Sequence, residues 1–258
     1  MKAMIFAAGI GSRLRPLTDT MPKALVPVGG VPMLQRVILR LKESGFTEIT
    51  VNIHHFGEQI LSFLDANAAF GVTIHISDER GRLLDTGGGI LKARPFLDGS
   101  EPFLVHNVDI ASDVDLAAMY RQHLAGTAAA TLLVSDRDTS RKLIFKKDDD
   151  DSTGQHDAGL RLCGWTNLAT GEVRPQGFVP EEGKCRKLAF GGIHVISPEL
   201  FNYMGTGTEW QGAFPIVPFY LNVCTHLKLA AYMQPDIYWF DIGKPDTLAR
   251  ADAYYSQK

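Results

Sequence analysis

The chain has 258 residues, 45% of them hydrophobic and 21% charged, enough apolar sequence to bury a full core and too much to stay disordered. A net charge of -3 offers no general attraction to nucleic acid or an anionic membrane, so a phosphate ligand must be met by local cations and is expected to be small. Cys163, Cys185 and Cys224 are odd in number, far apart and free of any Cys-x-x-Cys pair, which argues against a disulfide framework or structural zinc. With no secretory apolar region and no run that could span a bilayer, a cytoplasmic setting is expected.

Residues 4–7 form an apolar strand that runs into Gly9-Ile10-Gly11-Ser12-Arg13. Glycines here allow positive φ and let backbone N–H groups approach an anion, while Arg13 and Lys23 add charge. A plain tight turn is the alternative. The Walker pattern lacks its Gly-Lys-Ser/Thr, and the dinucleotide fingerprint lacks its third glycine where Leu14 stands. Pro16 works against a helix directly after the loop. Residues 32–45 start at Pro32, stop at Gly45 and set Leu34, Val37, Ile38 and Leu41 on one face, which predicts a helix. Strands follow at 49–53 and 72–76 around a helix over 58–66. Three glycines then open a helical segment in Asp85-Thr86-Gly87-Gly88-Gly89-Ile90, either a flexible turn or a surface where backbone meets a flat ligand.

The strand at 103–105 leads to Asn107-Val108-Asp109. Carboxyl ends of parallel strands carry the sites of open α/β sheets, although Asp109 could simply cap the next turn. A helix over 115–124 and a strand over 128–134 come next. Residues 146–157 are polar, charged and aperiodic, which predicts an exposed loop; the run of four aspartates lacks the spacing of a calcium loop. Around it, 143–145, 160–165 and 187–196 read as antiparallel strands with turns at 158–159 and 170–171, a small lid-like β-region within 136–196. Helices over 198–204 and 214–224, a strand over 228–233, a strand ending at Asp241 and a helix over 246–255 complete the chain. Asp246 fits the start of that last helix. His54, His55 and His106 have no ligand spacing and are expected to have structural or surface roles. The expected fold is α/β: a Rossmann-like, mostly parallel sheet with helices on both faces, one domain over 1–258 with no internal repeat.

The segment Gly9-x-Gly11-Ser12-Arg13-Leu14-Arg15-Pro16-Leu17-Thr18, followed by Met21-Pro22-Lys23-Ala24-Leu25-Val26-Pro27-Val28, resembles the signature of the sugar-1-phosphate nucleotidyltransferases. Asn107-Val108-Asp109 is similar to the family's Asn-Gly-Asp, with valine at the usual glycine. Trp239-Phe240-Asp241-Ile242-Gly243 resembles its late Trp-x-Asp-x-Gly element. The resemblance implies that Asp109 and Asp241 hold catalytic Mg2+ and that Ala8, Gly9, Ile10, Gly11 and Ser12 line the triphosphate. It further implies that Arg13 meets the leaving phosphates and Lys23 the phosphates at the reacting centre. Thr86, Gly87 and Gly88 would read the base through backbone amides, and Asn107 and Gly192 would lie on the sugar side. Substrates would be a nucleoside triphosphate and a sugar 1-phosphate, handled by a monomer or small homo-oligomer.

The form Asp-Thr-Gly-Gly-Gly-Ile, the short chain and the missing C-terminal β-helix are most like N-acetylmuramic acid 1-phosphate uridylyltransferases. That implies UTP with an amino sugar or muramic-type 1-phosphate. The alternatives are a GTP:mannose-1-phosphate-type guanylyltransferase, a phosphocholine cytidylyltransferase with a cage built from Trp165, Trp210 and Trp239, and a catalytically silent nucleotide-sugar-binding regulator.

Overall fold

The computed structural model describes residues 1–147, 159–181, 183–205, 207 and 209–257. In chain order the first half contains β1 (Lys2–Phe6), a short hairpin of β2 (Pro27–Val28) and β3 (Val31–Pro32), α1 (Met33–Glu43), β4 (Glu48–Ile53), α2 (Gly57–Ala66), β5 (Thr73–Asp78), α3 (Asp85–Lys92), α4 (Arg94–Leu97), β6 (Phe103–Asn107), β7 (Ile110–Ser112) and α5 (Leu116–Ala125). The second half contains β8 (Ala130–Ser135), β9 (Arg141–Lys147), β10 (Leu160–Asn167), β11 (Glu172–Arg174), β12 (Cys185–Ile196), α6 (Ile216–Val223), β13 (Leu229–Tyr232), β14 (Trp239–Asp241) and α7 (Pro245–Tyr255).

β1 shows why the sheet needs helices on both sides. Its alternate residues Ala3 and Ile5 enter one apolar cluster with α1, α2 and α5, while Met4 enters another with α3, α4 and α6. All three are fully buried, and strands covered on both faces read as continuous apolar runs. β1 lies between β4 and β6 in parallel register, and β5 is parallel to β4. The carboxyl ends of four parallel strands therefore open on one rim, where ligands of open α/β sheets bind.

The large sheet has ten strands in the order β11-β10-β13-β8-β12-β6-β1-β4-β5, with β9 bridging β10 and β12. The α/β class is as read from the sequence. The antiparallel strands of the second half extend the same sheet through β12, which runs antiparallel to both β6 and β8.

Two local readings change and a third holds. Residues 198–204 form a short 3-10 turn, Pro198–Asn202, which inserts Leu200 and Phe201 into the core. Lys146 and Lys147 continue β9, and the rest of the loop expected over 146–157 lies outside the described residues, as does Ala158 of the expected turn. After the glycine loop, Pro16 does prevent a regular helix: residues 12–25 hold three separate 3-10 turns, Ser12–Leu14, Leu17–Asp19 and Lys23–Leu25. Among the described residues no helix is long and apolar enough to cross a membrane.

Candidate active site

The rim at the ends of β1, β4 and β6 borders a cleft of about 580 Å³, whose walls include Ala8, Gly9, Lys23, Asn52, Glu79, Thr86, Asn107 and Asp109. The start of the glycine loop is fixed by a buried polar chain. Ala7 and Ala8 donate their N–H groups to Asn52 Oδ1 at 2.7 and 3.1 Å. Asn52 Nδ2 donates to Glu79 Oε1 at 2.8 Å, and the Leu84 N–H donates to Glu79 Oε2 at 3.0 Å. A buried carboxylate is retained at low cost only when its lone pairs are filled in this way.

Within the loop the residues divide by task. Ala8 lines the cleft with its amide already committed to Asn52, so it offers no N–H to a phosphate. Gly9 faces open space, since a Cβ there would meet nothing within 4 Å. Gly11 has φ of 70° and is packed: a Cβ would lie 2.9 Å from Thr18 Cγ2 and 3.0 Å from Lys23 Cβ. Thr18 Oγ1 donates to its carbonyl oxygen at 2.8 Å. Ile10, Ser12 and Arg13 are exposed.

The two expected carboxylates come together through a ladder that periodicity did not predict. β7 follows Asp109 directly and pairs antiparallel with β14, setting Ile110 opposite Asp241. The Ile242 N–H donates to the Asp109 carbonyl oxygen at 2.8 Å. Lys23 Nζ forms an ion pair with Asp109 Oδ2, with the two side chains only 10% and 19% exposed. Asp241 Oδ1 accepts from the Gly243 N–H at 2.9 Å. A Cβ on Gly243 would fall 2.6 Å from Arg13 Nη2 and 2.7 Å from Asp241 Oδ1, so the guanidinium of Arg13 folds back beside Asp241. Among the described residues no three His, Cys, Asp or Glu side chains form a metal cluster. Asp109 and Asp241, on neighbouring backbone segments, could hold a cation that takes its remaining ligands from phosphate and water.

The surroundings of Val108 show how this strand end accommodates a side chain. Val108 is buried in the core with α1 and α5, and its N–H donates to the Phe6 carbonyl oxygen at 3.2 Å. Asn107 and Gly192 are neighbours: Gly192 has φ of 74°, and a Cβ on it would lie 2.9 Å from Asn107 Nδ2.

The triple glycine requires a correction. Gly87 and Gly88 both donate their N–H groups to the Phe214 carbonyl oxygen, at 2.8 and 3.2 Å. Neither glycine lies on the cleft wall, so their amides do not face a base. Their lack of a side chain serves packing instead: a Cβ on Gly87 would stand 2.3 Å from the Phe214 ring, and one on Gly88 would stand 2.0 Å from the Gly212 carbonyl oxygen. Gly88→Ala must displace backbone, and it is expected to destabilise the fold by about 1–3 kcal/mol. Urea unfolding would read this as a lowered midpoint; an unchanged midpoint would mean that the segment around Gly212 yields freely. Thr86, Asp85, Leu83 and Ala213 form the cleft wall here. Thr86 is fixed by accepting the Ile216 N–H at 2.9 Å on Oγ1.

Asp241 borders a different cleft of about 600 Å³ on the antiparallel side, with Arg137, Arg141, Trp165, Asn167, Glu172 and Arg174. Sequence reading missed Asn52, Glu79 and Arg137. Asn52 and Glu79 left a faint signal, polar groups inside or just after apolar strands; Arg137 sits in an ordinary charged run. The three tryptophans do not form a cage. Trp165 faces Arg174 and Trp239 faces Arg137, at 5.2 and 3.7 Å from guanidinium carbon to ring centroid, whereas Trp210 packs on Phe214 and Phe219.

Comparison with known proteins shows the family. The family model described as nucleotidyl transferase matches residues 2–145. An N-acetylmuramate alpha-1-phosphate uridylyltransferase from Neisseria meningitidis serogroup B is 32% identical over 98% of this chain and 97% of its own. A mannose-1-phosphate guanylyltransferase from Arabidopsis thaliana is 37% identical over 95% of this chain and 62% of its own. Among solved structures, a UDP-glucose pyrophosphorylase from Acinetobacter baumanii superposes with a TM-score of 0.74 at 18% identity, covering 98% of this chain and 92% of that one. With the glycine loop, the Lys23–Asp109 pair and Asp241 gathered at one rim, the chain belongs to the nucleotidyl transferase family and is an enzyme of its sugar-1-phosphate nucleotidyltransferase branch.

Proposed function

We propose that the protein transfers a nucleoside monophosphate from UTP to an amino-sugar or muramic-type 1-phosphate, releasing pyrophosphate, and that residues 1–258 act as one domain. The observation that carries this reading is the β7–β14 ladder, which sets Asp241 beside Asp109 and its Lys23 partner. An oxygen of the sugar phosphate attacks the α-phosphorus, a new P–O bond forms, and the bond to the β-phosphate oxygen breaks with its electrons leaving on pyrophosphate. The nucleophile is already an anion, so no general base is needed. The protein's task is alignment and charge stabilisation. Lys23 neutralises the phosphates at the reacting centre, Arg13 meets the departing phosphates, and Gly9 leaves room for the triphosphate to approach the backbone. Asp109 and Asp241 suit Mg2+, which when bound supplies positive charge to the phosphate oxygens.

UTP is favoured because full-length relatives from Neisseria meningitidis and Caulobacter vibrioides are named as uridylyltransferases of N-acetylmuramate 1-phosphate. Guanylyl transfer to a mannose-type 1-phosphate is the second reading, supported by the 37% identity of the Arabidopsis relative. With the amides of Gly87 and Gly88 engaged by Phe214, base selection falls to Leu83, Asp85 and Thr86. Uracil and guanine present the same acceptor-donor order, which cytosine inverts, so CTP is expected to be the poorest of the three: a mispaired buried edge costs about 1–3 kcal/mol. Equal concentrations of UTP, GTP and CTP with Mg2+ and a panel of sugar 1-phosphates, read by product mass, are expected to give a UDP-sugar. A predominantly GDP-sugar product would move the assignment to guanylyl transfer.

A further inference from the structure

The cleft beyond Asp241 is floored by two cross-strand rows. Arg141 of β9 lies opposite Asn167 of β10, which lies opposite Glu172 of β11; two residues along, Leu143, Trp165 and Arg174 repeat the arrangement. Directly paired residues share one face of a sheet, and all six border the cleft. At the inner end, Arg137 is held by stacking on Trp239 and by donating from Nη2 to the Phe190 carbonyl oxygen at 2.8 Å. Its Nη1 is buried without a hydrogen-bond partner. A buried guanidinium N–H lacking an acceptor is costly enough to mark a place where a ligand supplies one.

The charges of this cleft do not cancel. Arg174 donates to Glu172 at 2.7 Å, and Asp241 belongs to the reacting end. Arg137 and Arg141 remain. Arg141 is exposed, and its side chain makes no hydrogen bond or ion pair among the described residues. β9 lies next to β12, which carries Phe190, so Arg141 starts roughly 5 Å further from the reacting end than Arg137's anchor. The phosphate of a neutral sugar 1-phosphate would engage Arg137 and leave Arg141 without an anion. Resting on the proposed nucleotidyl transfer, we infer that Arg141 is a specificity-determining residue that selects sugar 1-phosphates bearing a second anionic group, a carboxylate on a ring substituent. The planar guanidinium fork matches a carboxylate bidentately, and one cation there balances one carboxylate charge.

The test compares N-acetylmuramic acid 1-phosphate with N-acetylglucosamine 1-phosphate, the same ring without the acidic ether, and adds glucose 1,6-bisphosphate to separate a carboxylate from a second phosphate. Wild-type protein is expected to favour the carboxylate sugar in kcat/KM. In Arg141→Gln the acidic-to-neutral ratio should fall about tenfold through KM, and Arg141→Lys should restore part of it. An unchanged ratio, or a wild-type preference for the neutral sugar, overturns the inference and leaves nucleotidyl transfer standing. A preference for the bisphosphate overturns the carboxylate assignment. If no sugar 1-phosphate releases pyrophosphate, the function reading fails; titration calorimetry of the acidic sugar then decides Arg141 separately, with equal affinity for wild type and Arg141→Gln counting against it.

Discussion

Asp241→Asn is expected to lower turnover by about 10²–10³-fold while the protein remains folded, the scale set by losing one preorganised electrostatic group. The asparagine Oδ1 can still accept the Gly243 N–H that Asp241 Oδ1 accepts, so the local turn survives and the charge alone is lost. Asp109→Asn should cost similar activity and also stability, because Lys23 is only 8% exposed and would lose its counter-charge, a penalty of about 1–3 kcal/mol. The double variant Lys23→Met/Asp109→Asn should recover much of that stability in urea and none of the turnover. Near-wild-type turnover of folded Asp241→Asn at limiting Mg2+ would remove Asp241 from the reaction.

Acid should weaken this protein through three buried histidines. Burial pushes His106 and His123 down to about 4 and His194 to about 3, from an ordinary value of 6.5. His123 shows the cause most plainly: its two ring nitrogens meet Thr131 Oγ1 and Ser197 Oγ, both at 2.9 Å, with no charge nearby to favour a proton. Above pH 6.5 these histidines are neutral in both folded and unfolded chains, and their contribution is fully present. As pH falls through 6.5 the unfolded chain gains protons that the folded chain cannot, so stability declines until the folded values near 4 and 3 are reached. Each histidine can contribute up to about 1.4 kcal/mol per pH unit in that window. The urea midpoint should therefore be clearly lower at pH 5 than at pH 7. His123→Gln should flatten the slope while lowering stability at pH 7. Asp78, held at about 2 by its hydrogen bonds with Arg80, acts mainly below pH 4 and leaves the comparison of pH 7 with pH 5 clear. Equal midpoints at pH 7 and pH 5 would show that protons reach the three rings without unfolding.

Much of the scaffold was legible because burial on both faces leaves a local mark. Met4, Ile49, Val51 and Phe103 stand in short apolar runs, and Leu34, Val37, Ile38 and Leu41 repeat at helical spacing. Lys23 and Asp109 were legible for a related reason, polar groups set where apolar strands or tight turns stop. The strand ending at Asp241 was legible, but its partner β7 and the pairing between them were not: three residues, Ile110–Ser112, are too short for any period. The glycines at 87 and 88 show a different limit: a missing side chain serves a ligand or a close neighbour equally well, and the deciding neighbours, Phe214 and Gly212, lie far along the chain. The antiparallel run of β12 was legible, but its place in the same sheet as β6 was not, since an apolar strand does not name its neighbour.

The β7–β14 ladder also sets a schedule for the site. A chain emerging from the ribosome can form the β1, β4 and β6 core and bring Lys23 to Asp109 as soon as those segments are free. Asp241 arrives only when β14 has been made and docked against β7. On the proposed mechanism, a nascent chain that lacks β14 would have a place for polyphosphate but only half of the paired acid, so it would hold nucleotide without transferring it.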